Sequence, residues 1–207
     1  DSGAVYIYKS SGATWAQEAY IKAVENGASD NFGYSLSLNG ETLAVGVYKE
    51  DSNQTSITNG TSASSDNSNA DSGAVYIYKR SGTSWSQEAY IKAANNRASD
   101  NFGYSVSLHA DSLAVGAPGE DSNQTSITNG TSASDDDSNS ASGAVYIYKR
   151  SGSTWAQEAY IKAVNNGASD NFGNSVSLSG DTLSVGAPGE DSNQASITNG
   201  DNASTND

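Results

Sequence analysis

The chain repeats itself every 70 residues, and no other feature limits its fold as strongly. Gly3-Ala4-Val5-Tyr6-Ile7-Tyr8 returns as Gly73 to Tyr78 and as Gly143 to Tyr148. Trp15, Trp85 and Trp155 keep the same step, as do Phe32, Phe102 and Phe172. Near-identity over three copies without insertions makes each copy one supersecondary unit that packs on its neighbours. The sequence units are residues 1–70, 71–140 and 141–207. Such regularity also argues against an enzyme, because a catalytic centre needs different residues in different places, and here the places carry the same ones.

Composition matters next, because it nearly contradicts folding. Leu, Ile, Val and Phe supply 30 of 207 residues, with 24 acidic against 10 basic side chains and a net charge of -14. An apolar share this low, with such charge, is the signature of a disordered chain. Against it stand 12 Tyr and 3 Trp, large buriable side chains that recur at fixed positions. Without cysteine there is no disulfide and no thiolate metal site, and His109 alone makes neither a histidine metal cluster nor a repeated catalytic base. No apolar run approaches the length of a membrane-spanning helix. An acidic surface repels nucleic acid and attracts cations. Beginning at Asp1, the chain reads as a piece of something longer.

Each repeat holds four strand candidates. In the second copy, Tyr104-Ser105-Val106-Ser107-Leu108 alternates strictly and, after a turn at His109-Ala110-Asp111, gives way to Leu113-Ala114-Val115-Gly116-Ala117. Ala74-Val75-Tyr76-Ile77-Tyr78 turns through Arg80-Ser81-Gly82 to Trp85 and the more polar strand Gln87 to Lys92. No window has the period of a capped helix. The expectation is an all-β chain of β-propeller-type, four-stranded antiparallel blades, one per repeat, with the most polar strand outermost and Tyr6, Tyr76 and Tyr146 in equivalent buried sites.

Phe102-Gly103-Tyr104-Ser105-Val106, then Leu113 to Pro118, then Gly143 to Tyr148 together resemble the FG-GAP repeat, the blade motif of the integrin α-chain N-terminal β-propeller and its bacterial relatives. The resemblance spans the chain three times. It implies a propeller, usually extracellular, often calcium-binding, acting in adhesion or ligand binding. Two departures stand out. The Asp-x-Asp-x-Asp-Gly calcium loop of the family's first hairpin is missing, its place taken by Asn39-Gly40-Glu41, His109-Ala110-Asp111 or Ser179-Gly180-Asp181. In the first copy Gly46-Val47-Tyr48 also replaces Gly-Ala-Pro.

The connector between the two hairpins is the first place to look for chemistry. More than 20 residues without a strand signal are unusual in a compact domain unless they are functional or disordered. Ile57, Ile127 and Ile197 recur inside it as a candidate anchor. Calcium takes six to eight oxygen ligands, and the connectors offer Glu50, Asp51 and Asn53; Glu120, Asp121 and Asn123; Glu190, Asp191 and Asn193. The other reading is an acidic solvated loop. The tryptophans form either a stacking platform or a cover between blades. Asp30, Asp100 and Asp170 either close a turn that buries Phe or act as ligands. Asn53, Asn59, Asn123, Asn129 and Asn202 head glycosylation triplets. Lys79-Arg80, Lys149-Arg150 and His109 are expected at solvated turns.

The repeat frame opens on the second hairpin of one blade and ends after the first hairpin of another. Two half-blades then flank two whole ones, too few to close a ring of four to eight. Val5, Ile7, Val176 and Leu178 are the residues expected to lie uncovered there, available to further copies or repeats of the same unit. Two functions follow: an extracellular or cell-surface, calcium-stiffened domain for adhesion to a protein or glycan, or a structural subunit of a fibre or array joined by blade completion.

Overall fold

The computed structural model describes residues 2–200, so the triplet at Asn202 lies outside the described residues. All regular structure in it is β, in four antiparallel sheets that do not close into a ring. The first sheet is a hairpin of β1 (Val5–Ser11) and β2 (Thr14–Ile21). The second runs in the order β3 (Ser35–Asn39), β4 (Thr42–Val47), β6 (Ala74–Ser81), β7 (Ser84–Ile91), β5 (Thr58–Asn59). The third repeats that order with β8 (Ser105–His109), β9 (Ser112–Ala117), β11 (Ala144–Ser151), β12 (Thr154–Ile161) and β10 (Thr128–Asn129). The fourth is the hairpin of β13 (Ser175–Ser179) and β14 (Thr182–Gly186). Each full sheet therefore takes one hairpin from each of two successive repeats.

The four expected strands per blade are present, and a fifth joins them. Within the connector, Thr58 and Asn59 pair with Tyr90 and Ala89, and Thr128 and Asn129 pair with Tyr160 and Ala159. The connector thus folds back over the outer strand and covers its open edge. Its polar composition hid this, because a two-residue strand carries no periodicity.

The Val-Tyr-Ile-Tyr strands have no polar face because both faces are buried. In β6, Val75 and Ile77 point into a core shared with the third sheet, whereas Tyr76 and Tyr78 point into a core shared with the first. At the first sheet only one face has a neighbour. Val5 and Ile7 are accordingly covered, at 3% and 9% exposure, while Tyr6 stands at 55%. That corrects two expectations: Tyr6 does not share the burial of Tyr76 and Tyr146, both at 0%, and Val5 and Ile7 are not open. The apolar surface left open at that end includes Tyr6, Tyr8, Trp15, Tyr20, Leu36 and Leu38. At the other end Val176 and Leu178, expected to lie uncovered, are half-buried.

Sheets join through two devices. Gly73 and Gly143 make parallel bridges to Phe102 and Phe172, and a Cβ on either glycine would strike the phenylalanine main chain. Serines of the inner strands form rungs: Ser37 Oγ accepts from Leu108 N at 2.9 Å, and Ser107 Oγ accepts from Leu178 N at 2.9 Å. Gly116 has ordinary backbone angles, yet a Cβ there would overlap the Gly173 carbonyl of the next sheet, whereas the equivalent Gly186 meets chiefly the movable Ser175 hydroxyl. Gly116→Ala is expected to cost about 3 kcal/mol and to lower the melting temperature by roughly 6–12 °C. Gly186→Ala should cost less than about 1 kcal/mol. Equal melting temperatures for the two variants would show that the sheets are not packed this closely.

Candidate functional site

Each connector begins at a glutamate, which the two full sheets bury at Glu50 and Glu120 and which is half-buried at Glu190. Glu120 is 2% exposed, and its carboxylate accepts from Tyr160 OH at 2.8 Å, Lys162 Nζ at 2.7 Å, Asn95 Nδ2 at 3.1 Å and Ser122 N at 3.2 Å. Glu50 is 3% exposed and accepts from Lys92 Nζ at 2.7 Å. Burial pushes the lysine ammonium groups below their usual range, and the facing glutamate opposes that shift. Glu190 accepts from Asn165 Nδ2 at 2.8 Å and from Ser192.

The neighbouring candidate ligands go elsewhere. Asp51 and Asp121 accept from the main-chain N–H of Asp71 and Ala141 at 2.7 and 2.6 Å, which fixes the far end of the connector. Asn53 and Asn123 donate their main-chain N–H to Asp66 and Asp136, each at 3.2 Å. Asp191 and Asn193 are exposed. Glutamate, aspartate and asparagine of one connector are therefore not brought to a common point. Among the described residues no group of three or more His, Cys, Asp or Glu side chains could hold a metal ion. At Glu120 the carboxylate does not fit calcium, because it already faces an ammonium and a full set of donors.

The anchors and tips divide by whether the neighbouring sheet supplies an outer hairpin. Ile57 packs against the core of the third sheet, while Ile127 and Ile197 are 58% and 91% exposed. Trp155 is buried, and its indole N–H donates to Glu88 at 2.9 Å; Trp85 donates to Glu18 at 3.1 Å, and Trp15 is exposed. Where a preceding sheet is present, then, tryptophan is a cover between blades. The hairpin-tip arginines are not merely solvated: Arg80 pairs with Glu18 at 2.6 Å and Arg150 with Glu88 at 3.3 Å, each reaching the preceding sheet. Nothing in the spacing of Lys-Arg revealed this, because the partner lies some 60 residues away. Asn59, in one of the triplets, accepts from Trp155 N at 2.8 Å.

One surface feature breaks the repeat. The rings of Tyr34, Tyr48 and Tyr104 cluster at centroid distances of 4.3, 4.9 and 5.3 Å, two pairs tilted and the Tyr48–Tyr104 pair edge-to-face, at the seam between the second and third sheets. Tyr34 remains 48% exposed. The hydrogen bond to Tyr104, with burial, pushes its hydroxyl up to about 12. Lys49 lies over the Tyr48 ring at 5.6 Å, so this cluster already attracts a cation. The corresponding positions in the other repeats are Pro118 and Pro188 for Tyr48, and Asn174 for the third counterpart of Tyr34.

A family model described as FG-GAP repeat matches residues 15–78, 85–148 and 155–203. No curated protein matches. The three matched segments take in the turns at Asp30, Asp100 and Asp170 and the connectors that follow them.

Those aspartates close turns. Asp30, Asp100 and Asp170 accept from the main-chain N–H three residues earlier at 3.0, 2.9 and 2.8 Å, and the turns bury Phe32 and Phe102. Burial, with Glu120, Asp121 and Asp137 nearby, pushes Asp100 up to about 8. Its folded form therefore keeps a proton that the unfolded chain releases near 4, so stability declines as pH rises from about 4 to about 8. Asp100→Asn, which keeps the acceptor, is expected to raise the melting temperature at pH 8 and leave it nearly unchanged at pH 4. Parallel pH profiles of variant and parent would rule this out.

Proposed function

The chain belongs to the FG-GAP repeat family, and from that membership we propose that it is a binding and adhesion module, acting outside the cell or at its surface. The family is a binding and structural repeat, not an enzyme family. The match in all three repeats carries the reading. The repeat-identical interior supports it too, because what differs between copies is concentrated at a surface, where recognition occurs.

The contact surface in this reading is the tyrosine cluster. Clustered, partly exposed aromatic rings offer a large contact area at low entropic cost to a protein or glycan ligand. The repeats themselves supply fold-preserving tests: Tyr48→Pro and Tyr34→Asn install residues that stand at the same positions elsewhere in the chain. The parent should bind members of an array of immobilised matrix proteins and glycans. The double variant should keep its melting temperature and lose at least tenfold in affinity. Binding that is unaffected by the two changes would move the contact surface elsewhere, and an array without any bound member would remove the adhesion reading.

A second reading, a structural array, is favoured by the complementarity of the two-stranded sheets. β14 presents an edge like the one by which Val45 faces Tyr76 and Val115 faces Tyr146, a register in which Val185 would face Tyr6. Lys22 and Glu190 are likewise single members of a pair that is complete in both full sheets. A further repeat or another copy would pair identically. Sedimentation velocity of the 207-residue chain should show concentration-dependent association, weakened by Val185→Lys. A monomer at every concentration would exclude assembly between copies.

A further inference from the structure

The reading of the connector acids as calcium ligands and the geometry of the connectors disagree, and the disagreement is informative. Both full sheets contain a lysine whose side chain has no exposed surface, facing a glutamate at 4% or 2% side-chain exposure. The Lys92–Glu50 and Lys162–Glu120 distances are both 2.7 Å, and the sequence separation is 42 in each case. A second bond runs from each ammonium to a serine hydroxyl, Ser72 at 2.9 Å and Ser142 at 2.7 Å. Each hydroxyl also lies within bonding distance of the connector's own carbonyls, those of Glu50 and Ser52 or of Glu120 and Ser122.

We propose that Lys92 and Lys162 are built-in cations, doing in these blades what a bound metal ion does elsewhere: gathering a carboxylate, a hydroxyl and, through it, backbone carbonyls around one positive charge. The ammonium ties three segments together, the exit of the outer strand, the start of the connector and its end. The connector's end is also where the next sheet attaches. Gly73 N donates to Glu50 O at 2.8 Å, and Phe102 N donates to Ser72 O at 3.0 Å; Gly143, Glu120, Phe172 and Ser142 repeat both bonds at 2.8 and 3.0 Å. The latch therefore holds the entry of the third strand of its own sheet and the joint to the sheet that follows.

The chemistry excludes a metal from the same place. A calcium ion needs oxygens at about 2.3–2.6 Å, and to reach Glu120 it would have to displace an ammonium that stands at bonding distance. One lysine per glutamate leaves the buried pair neutral, whereas a divalent ion beside it would add charge in a poorly solvated interior. The blades should therefore keep their stability without calcium. This inference stands apart from ligand binding and from assembly.

The test is thermal unfolding of the 207-residue chain in EDTA and in millimolar calcium, with variants of one latch. The parent curves should coincide. Lys162→Met strands a buried carboxylate and should lower the melting temperature by roughly 10 °C. Adding Glu120→Gln to it should recover at least half of the loss, because the uncompensated charge is then gone. Lys92→Met with Glu50→Gln repeats the cycle in the other sheet. A calcium-dependent rise in the parent that Glu120→Gln abolishes would overturn the proposal, as would a Lys162→Met variant that melts like the parent. Should Lys162→Met fail to fold, the parent's response to calcium and the folding of the double variant still decide: a folded, calcium-indifferent double variant supports the latch, and an unfolded one overturns it.

Discussion

The joint between successive sheets is the constraint on which the rest of the molecule depends. A single blade of this chain has two apolar faces and no means of covering either. The close approach of Gly73 to Phe102, and of Gly143 to Phe172, sets the next sheet against the last one. Once it is there, alternate residues of β6 supply two different cores, and Val75, Ile77, Tyr76 and Tyr78 are all buried in them. The tyrosines make this workable, since each covers a large area. Their hydroxyls reach across the seam: Tyr148 OH donates to Lys92 O at 3.4 Å and Tyr146 OH to Asn95 Oδ1 at 2.5 Å.

Buried charge serves the same joint. The lysine and glutamate of each latch are costly to desolvate singly and tolerable only as a hydrogen-bonded pair. Their positions are equivalent in the two full sheets, which makes them part of the blade's construction. Connectors that look like solvated acidic loops are consequently tied down at both ends, by Glu120 at the start and by Asp121 on Ala141 N at the finish. Their middles are held as well, by the short strands that pair Thr58 and Asn59 with β7 and Thr128 and Asn129 with β12.

Departures from the repeat fall in two classes with different physical meaning. Arg80 and Arg150 have Ser10 as their counterpart in the first copy, which has no preceding sheet among the described residues to offer a glutamate. Tyr48 in place of proline, by contrast, serves no core and contributes a half-buried ring to a seam. A surface change of that kind alters what the molecule presents without disturbing how it is built.

The all-β class, the four main strands of each blade and the family were legible in the residues alone, because each rests on local pattern: alternation of apolar and polar residues, glycine-containing turns, and a 70-residue period. The sequence could not determine which copies of a repeated residue would be buried. Trp15 and Trp155 occupy the same place in the repeat, yet one is 69% exposed and the other 1%. Leu38 and Leu108 differ in the same way, at 58% and 5%. Nor did spacing reveal that Glu120 would turn inward to Lys162, away from Asp121 and Asn123. Burial and pairing across 40 to 70 residues are properties of which sheet stands beside which, and tertiary structure alone decides that.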